Sequence, residues 1–168
     1  IITYSRVYKD PDSYFKHKWG LGEFLQRQNG ARVWIDKTVN DYKDQEKIVK
    51  QNFSFAYSYI AKSMNQNRNK LLDIGAGFGY FIKYLPRNIK SQAVEVSKEA
   101  VNALRLNTNS KIYRGNFLDV NIKNKFDFIV SYDVIEHQND LMGYLSKIKS
   151  LLKRNGVVIF TTPDFGSP

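Results

Sequence analysis

The sequence predicts an α/β fold in which helices cover both faces of a parallel sheet. Strand-like apolar runs alternate with helical patterns between residues 70 and 162, an alternation that is typical of parallel sheets. The first of these runs ends in a glycine turn, Gly75 to Gly79, and the second ends near the acidic residue Glu95. Right-handed crossover connections then give the strand order 3-2-1-4-5.

The first part of the chain is predicted to form an irregular extension followed by a helix. Residues 1–40 are rich in aromatic side chains and are interrupted by several glycines, so no long element is expected there. We expect this extension to pack against the core; a substrate lid and the tail of a preceding domain are the alternatives. The core is predicted over residues 41–168. Between residues 41 and 64 an apolar stripe with helical spacing predicts a helix: Val49, Phe53, Ala56, Ile60 and Met64.

The remainder of the core is predicted to contain five strands and three helices. The strands are expected at residues 70–74, 91–96, 111–113, 126–131 and 157–162. The helices are expected at residues 78–85, 98–107 and 140–153. Ser97 is expected to cap the second of these helices, and Asn155-Gly156 is expected to end the third in a left-handed cap.

Composition limits the classes of function. The chain has no cysteine, which excludes disulfides and thiolate metal sites and agrees with a cytoplasmic location. No run is long enough for a membrane span, and no signal peptide is visible. The net charge of +10 is spread along the chain without an arginine-rich tract, which favours a solvated surface over a nucleic-acid-binding face. Four basic residues are expected on the outer face of the last helix: Lys147, Lys149, Lys153 and Arg154.

Five motifs in a fixed order resemble those of class I S-adenosylmethionine-dependent methyltransferases. They are Leu71 to Tyr80, Val94 to Ala100, Phe126 to Ser131, Val134 to His137 and Leu151 to Pro163. The similarity is greatest to the bacterial small-molecule branch, whose members act in sugar, polysaccharide or quinone pathways. It implies a Rossmann-like fold over residues 70–168. The Gly-x-Gly-x-Gly spacing differs from that of dinucleotide-binding proteins, which disfavours a nicotinamide dehydrogenase.

The resemblance implies a binding site for S-adenosyl-L-methionine at the carboxyl ends of the strands. The glycine loop is expected to hold the methionine part of the cofactor and Asp73 its ammonium group, unless Asp73 only bonds the amides of the turn. Glu95 is expected to accept hydrogen bonds from both ribose hydroxyls; the alternative is a surface glutamate beside Lys98. No metal is expected. The cofactor contacts implied by the resemblance are Asp73, Gly75, Ala76, Gly77, Gly79, Glu95, Val96, Asn116, Phe117, Ser131 and Tyr132.

The position after the third strand departs from the family pattern. The family usually has an acidic residue there that meets the adenine amino group, and this chain has Asn116. The amide oxygen of Asn116 would still accept that hydrogen bond, without charge assistance. Phe117 is expected to donate its backbone N–H to the adenine ring.

His137 is the candidate catalytic residue. A hydroxyl acceptor needs a base, and a neutral histidine suits that role near pH 7. The alternative is that His137 caps or packs the following turn. Glu136 is expected to anchor the loop rather than to react. The expected reaction is methyl transfer to a small molecule, a sugar or quinone-like hydroxyl compound that is anionic or nucleotide-linked. An RNA or protein methyltransferase and a non-catalytic binding module of a larger protein remain alternatives.

The carboxyl-terminal part of the family fold is not found in the sequence. The family has seven strands, whereas five are predicted here, and the chain opens without methionine. We therefore expect a piece of a longer polypeptide that binds cofactor better than it turns over substrate. The fifth strand is then an exposed edge. A neighbouring chain, the amino-terminal segment or a downstream region would cover it, and a homo-oligomer is one such arrangement.

Overall fold

The computed structural model describes residues 53–162, which contain a five-stranded parallel sheet. The strands are β1 (Lys70–Ile74), β2 (Lys90–Glu95), β3 (Lys111–Arg114), β4 (Phe126–Tyr132) and β5 (Leu152–Thr161). Their order is β3-β2-β1-β4-β5, and every neighbouring pair is parallel. The predicted fold class and strand order are therefore confirmed. The predicted extension over residues 1–40 and the first part of the helix predicted over residues 41–64 lie outside the described residues.

Helices cover both faces of the sheet. They are α1 (Ser54–Ser63), α2 (Tyr80–Lys83), α3 (Lys98–Asn107) and α4 (Leu141–Leu151), and a 3-10 turn follows β4 (Ile135–His137). One buried cluster joins α1, α2 and α3 to one face, through Ile60, Phe81 and Leu104. A second cluster joins α4 to the other face, through Tyr144 and Ile148. The alternation of side chains along β4 divides its residues between the two clusters.

Helix α3 has the bounds and the cap that the sequence predicts. The hydroxyl of Ser97 accepts a hydrogen bond from the Ala100 N–H at 3.2 Å, and Glu99 lies in the first turn. Helix α2 is shorter than predicted because it ends at Lys83, after which the Leu85 N–H bonds to the Ile82 carbonyl.

The predicted left-handed cap at Asn155-Gly156 is wrong. Helix α4 ends at Leu151, β5 begins at Leu152, and Gly156 does not have a positive φ. Pairing with β4 shifts from Leu152 opposite Phe126 to Val157 opposite Phe128, so the residues between them form a bulge. A Cβ on Gly156 would lie 3.0 Å from the Phe126 carbonyl oxygen, which explains the glycine by close approach of the two backbones.

The two ends of the sheet differ in chemistry. At the amino-terminal end, the buried carboxylate of Asp127 accepts the N–H groups of Asn69 (3.1 Å) and Lys70 (3.0 Å), and the ammonium of Lys153 lies 2.7 Å away. This contact connects the starts of β1 and β4 to the bulge of β5. The carboxyl-terminal end carries the expected ligand site. Within residues 53–162, no helix has the length and apolarity needed to cross a membrane.

Candidate functional site

Asp73 lies at the carboxyl-terminal end of β1, next to the point where the strand order reverses between β1 and β4. The residue is only 3% exposed, and its Oδ2 has no hydrogen-bond partner among residues 53–162. Burial raises the pKa of Asp73 to about 8, with the nearby charge of Glu95 as the second cause. An unpaired buried carboxyl group of this kind is suited to a cationic ligand group. Oδ2 accepts nothing from the glycine turn, so this atom gives no support to the alternative of turn bonding, and the ligand role stays a prediction.

The glycine turn is shaped by protein packing as well as by space for a ligand. Gly75 has φ 74° and Gly79 has φ 82°, both in the left-handed region. A Cβ on Gly75 would collide with Val134, and one on Gly79 would collide with Leu104. Packing against the protein therefore explains the glycine at these two positions. The N–H groups of Gly75 and Ala76 both bond to the Val94 carbonyl, at 2.9 and 3.1 Å.

Glu95 is buried at the end of β2 and accepts three backbone hydrogen bonds. Its Oε2 accepts the Gly77 N–H at 2.8 Å, and its Oε1 accepts the N–H groups of Val96 and Ser97 at 2.8 and 2.9 Å. An exposure of 3% excludes the surface alternative. The carboxylate thus connects the glycine turn to the start of α3. Since a carboxylate has about four acceptor positions, ribose hydroxyls would share it with these amides, and the ribose contact stays a prediction.

Helix α1 contributes to a cluster of rings beside Asp73, which we call the aromatic cluster: Phe53, Tyr57, Phe81 and Tyr132. The Tyr132 centroid lies 4.4 Å from that of Phe53, and the Tyr57 hydroxyl donates to the Phe81 carbonyl at 3.0 Å. Burial raises the pKa of Tyr132 to about 12, with the Asp73 charge as a further cause. Burial and then Asp73 also raise the pKa of Tyr57. Sequence reasoning missed Tyr57, although it lies on the predicted helix, because it falls outside the apolar stripe.

Ser131 and Tyr132 point to opposite faces of the sheet. The Ser131 hydroxyl is fully buried and lies 2.7 Å from the Tyr144 hydroxyl of α4. Tyr132 packs with Phe53 and Phe81 on the face of Asp73. The side chain of Ser131 is therefore not placed as the predicted cofactor contact, and only its backbone remains available for that role.

The loop after β3 is held by its own side chains and by α4. The Asn116 Oδ1 accepts the Leu118 N–H at 2.9 Å, so this amide oxygen already has one donor. Phe117 is 5% exposed and packs edge-on against Tyr144, and its N–H has no backbone acceptor among residues 53–162. The contacts of Asn116 and Phe117 with adenine remain predictions.

The sequence suggested that Lys147 lies on a solvated outer face, and this prediction is wrong. Its ammonium donates to the carbonyls of Leu118 (2.9 Å) and Val120 (2.6 Å) in the loop after β3. Burial lowers the pKa of Lys147, and the charge of Asp119 opposes this shift. Lys153 was also misassigned, because it lies in β5 and pairs with Asp127.

His137 ends the 3-10 turn that follows β4, at the same edge of the sheet as the glycine turn. Its N–H bonds to the Val134 carbonyl at 3.0 Å, and its Nε2 lies 3.9 Å from a carboxylate oxygen of Glu136. The side chain as a whole is 18% exposed, whereas its Nδ1 is buried. In the described part of the chain, no cluster of three or more histidine or carboxylate side chains could hold a metal ion.

Comparison with known proteins identifies the family. A methyltransferase domain family matches residues 44–167. The glycine/sarcosine/dimethylglycine N-methyltransferase of Actinopolyspora halophila is 26% identical over 165 residues, 92% of this chain and 27% of that protein. The ubiquinone biosynthesis O-methyltransferase of Pelagibacter ubique is 26% identical over 124 residues, 69% of this chain and 51% of that protein. This chain therefore spans about half or less of the length of these curated relatives.

A solved structure shares the fold. S-adenosylmethionine-bound CalS10, an amino pentose methyltransferase from Micromonospora echinaspora, superposes with a TM-score of 0.63 at 12% identity, over 81% of this chain and 61% of that chain. Because the family match covers most of the sequence, the chain belongs to the methyltransferase domain family, and its fold is that of the S-adenosylmethionine-dependent class.

S-adenosyl-L-methionine is the cofactor of this class, and the residues present fit it. The cofactor carries an ammonium and a sulfonium cation, and it supplies an activated methyl group when bound. Asp73 offers a buried carboxyl group without a partner at Oδ2, and the aromatic cluster offers ring faces that attract cations. The Asp73 carboxyl group and the aromatic cluster lie on the same side of the sheet, and both would attract the cationic groups of this methyl donor.

Proposed function

We propose that the chain is the cofactor-binding part of an enzyme that methylates a hydroxyl group of a small molecule, a sugar or quinone-like compound. The observation that carries the cofactor assignment is the buried Asp73, whose Oδ2 has no partner beside the aromatic cluster. Leaving such a group without a cation would cost free energy. The glycine turn and Glu95 lie at the same edge of the sheet and would receive the nucleoside part.

The acceptor class rests on the names of relatives and on charge. One relative is named as a ubiquinone biosynthesis O-methyltransferase, and one neighbour in fold is named as an amino pentose methyltransferase. The net charge of +10 suits an anionic or nucleotide-linked acceptor. A relative named as a glycine/sarcosine/dimethylglycine N-methyltransferase makes an amine acceptor the second candidate. Residues 131–134 do not match the Asn/Asp-Pro-Pro-aromatic motif that is common in RNA amino-group methylation, which disfavours an RNA acceptor.

We assign to His137 the role of the base that takes the proton of the acceptor hydroxyl. The tyrosines nearest Asp73 are unsuited to that role near pH 7, because burial and the Asp73 charge raise the pKa of Tyr132 to about 12 and raise the pKa of Tyr57 as well. His137 follows β4 at the edge of the sheet where the donor would lie. Its solvent-accessible side chain would pass the proton on to water.

Calorimetry with S-adenosylhomocysteine tests the cofactor assignment. Glu95→Ala should weaken binding by about 1–3 kcal/mol, because hydrogen bonds to a charged acceptor are lost and the glycine turn loses its connection to α3. Glu99→Ala, an exposed change in the first turn of α3, is the matched control and should leave the affinity unchanged. NADH should not bind. Equal affinities of the Glu95 variant and the unmodified protein would contradict the assignment.

The rate of methyl transfer by the full-length protein tests the role of His137 as the base. With a catechol, a nucleotide-linked sugar and glycine as trial acceptors, we expect methylation of a hydroxyl compound. His137→Ala should lower that turnover about 100-fold and leave S-adenosylhomocysteine affinity unchanged, since the residue contacts the acceptor and not the donor. Asn139→Ala, at an exposed position on the same loop, is the control. Near-normal turnover by the His137 variant would restrict His137 to a structural role, and methylation of glycine alone would favour the amine acceptor.

A further inference from the structure

Lys147 connects helix α4 to a loop of the sheet. Its ammonium reaches from α4 to the loop after β3 and donates to two carbonyl oxygens, those of Leu118 and Val120. The same ammonium lies 5.1 Å from the centroid of the Phe117 ring. Three features of one short loop are therefore held by a single side chain.

The loop that Lys147 holds is the one expected to meet the adenine ring. Phe117 and Asn116 precede the two bonded carbonyls, and both belong to the predicted cofactor contacts. The Asn116 side chain is itself fixed by the Leu118 N–H. The position of both residues thus depends on where Leu118 lies, and the Leu118 carbonyl is bonded to Lys147.

A second contact connects the same face of α4 to the end of β4. Tyr144, one helical turn before Lys147, packs edge-on against Phe117 with centroids 5.1 Å apart. Its hydroxyl lies 2.7 Å from the Ser131 hydroxyl. The loop is therefore located relative to the carboxyl-terminal edge of the sheet, where the ligand site is, and not only relative to α4.

We propose that Lys147 is a positioning residue for recognition of the adenine base: it holds the loop of residues 116–120 in the arrangement that presents Asn116 and Phe117 to the base. The inference rests on the proposed function, because it requires that this loop contacts the cofactor. Lys147 acts through the loop and does not touch the cofactor itself.

The test compares two ligands that differ only in the base. S-adenosylhomocysteine carries the amino group that Asn116 would bind, and S-inosylhomocysteine lacks it. We expect the protein to bind the adenosine compound more tightly. In Lys147→Met, which keeps the length of the side chain but removes the donors, affinity for the adenosine compound should fall about tenfold. Affinity for the inosine compound should fall by less than about threefold, because this compound lacks the amino group that the positioned loop would bind.

The controls separate positioning from general stability. Lys149→Met, at an exposed position of α4, should leave both affinities unchanged. Lys147→Gln, which retains a neutral donor, is measured in parallel, and circular dichroism establishes that each variant compared is folded. An equal fall in both affinities, or no fall in either, would overturn the proposal. A protein that binds both ligands equally would overturn it too and would leave the cofactor assignment intact, whereas a protein that binds neither would refute the proposed function itself.

Discussion

Asp73 is the residue whose chemistry is altered most by its surroundings. The pKa of Asp73 is raised from 3.8 to about 8 by burial and by Glu95, so the carboxyl group is protonated at neutral pH in the absence of a cationic partner. Between these two values the folded chain binds more protons than the unfolded chain. Folding stability contributed by this group is therefore complete below about pH 4 and is lost as the pH rises towards 8.

This dependence on pH predicts a measurable difference between the protein and Asp73→Asn. The melting temperature of the protein should fall more between pH 5.5 and pH 8 than that of the variant, because asparagine does not titrate. Differential scanning calorimetry without cofactor measures both. Asp119→Asn, at an exposed position, is the control. Parallel melting curves for Asp73→Asn and the protein would show that the Asp73 carboxyl group is not buried as described.

At the scale of elements, the carboxylate of Asp127 joins β1, β4 and β5 through two backbone hydrogen bonds and one ion pair. Asp127→Ala should destabilise the fold by about 2–4 kcal/mol, because it leaves two backbone N–H groups and the Lys153 ammonium without their acceptor. Urea unfolding followed by circular dichroism measures this loss. Asp119→Ala should change the free energy of unfolding by less than about 0.5 kcal/mol. A loss of similar size in both variants would contradict the role of Asp127.

The elements with strong local signals could be predicted from the sequence. Strand β1 and helix α3 have the bounds that apolar runs, Ser97 and the following turn indicate. The junction of α4 and β5 could not be predicted, since Asn155-Gly156 is also the usual end of a helix. There the pairing of β5 with β4 outweighs local propensity and converts these residues into a bulge.

Motifs in the sequence specify candidate site residues but not their tertiary contacts. The sequence predicts Asp73 and Glu95 as candidates from their positions near strand ends, and the structure places both at the same edge of the sheet. It does not reveal that the Glu95 carboxylate accepts three amides, that Ser131 faces Tyr144, or that Lys147 bonds the loop after β3. The Ser131 and Lys147 contacts arise from the packing of α4 against the sheet and its loops, which no local pattern encodes.

At the scale of the whole molecule, β5 is the edge of the sheet, since it pairs only with β4 among residues 53–162. Phe160 on this strand is 46% exposed, and Phe55 and Tyr59 of α1 line a groove beside it. An apolar strand with an unpaired edge promotes association between chains. The expectation of an exposed fifth strand thus agrees with the described part of the fold.

Phe160→Lys should reduce self-association of the 168-residue chain, because it places a charge beside the strand edge. Sedimentation velocity over a range of protein concentrations measures the effect. Leu106→Lys provides the control, since Leu106 is 89% exposed on α3 and lies away from β5. If both variants associate to the same extent as the unmodified chain, the edge of β5 is not responsible.

With the cofactor ammonium placed at Asp73 as proposed, the proton held by this carboxyl group would make cofactor binding a proton-exchange reaction. A cation that pairs with this carboxyl group ionises it, so the proton leaves for the buffer as the ligand enters. Affinity for any ligand that carries the methionine ammonium then increases as the medium becomes more alkaline, up to about the pKa of the free group. Donor and demethylated product share that ammonium, so acidification would favour release of both. The occupancy of the site would therefore report the local proton concentration as well as the supply of methyl donor.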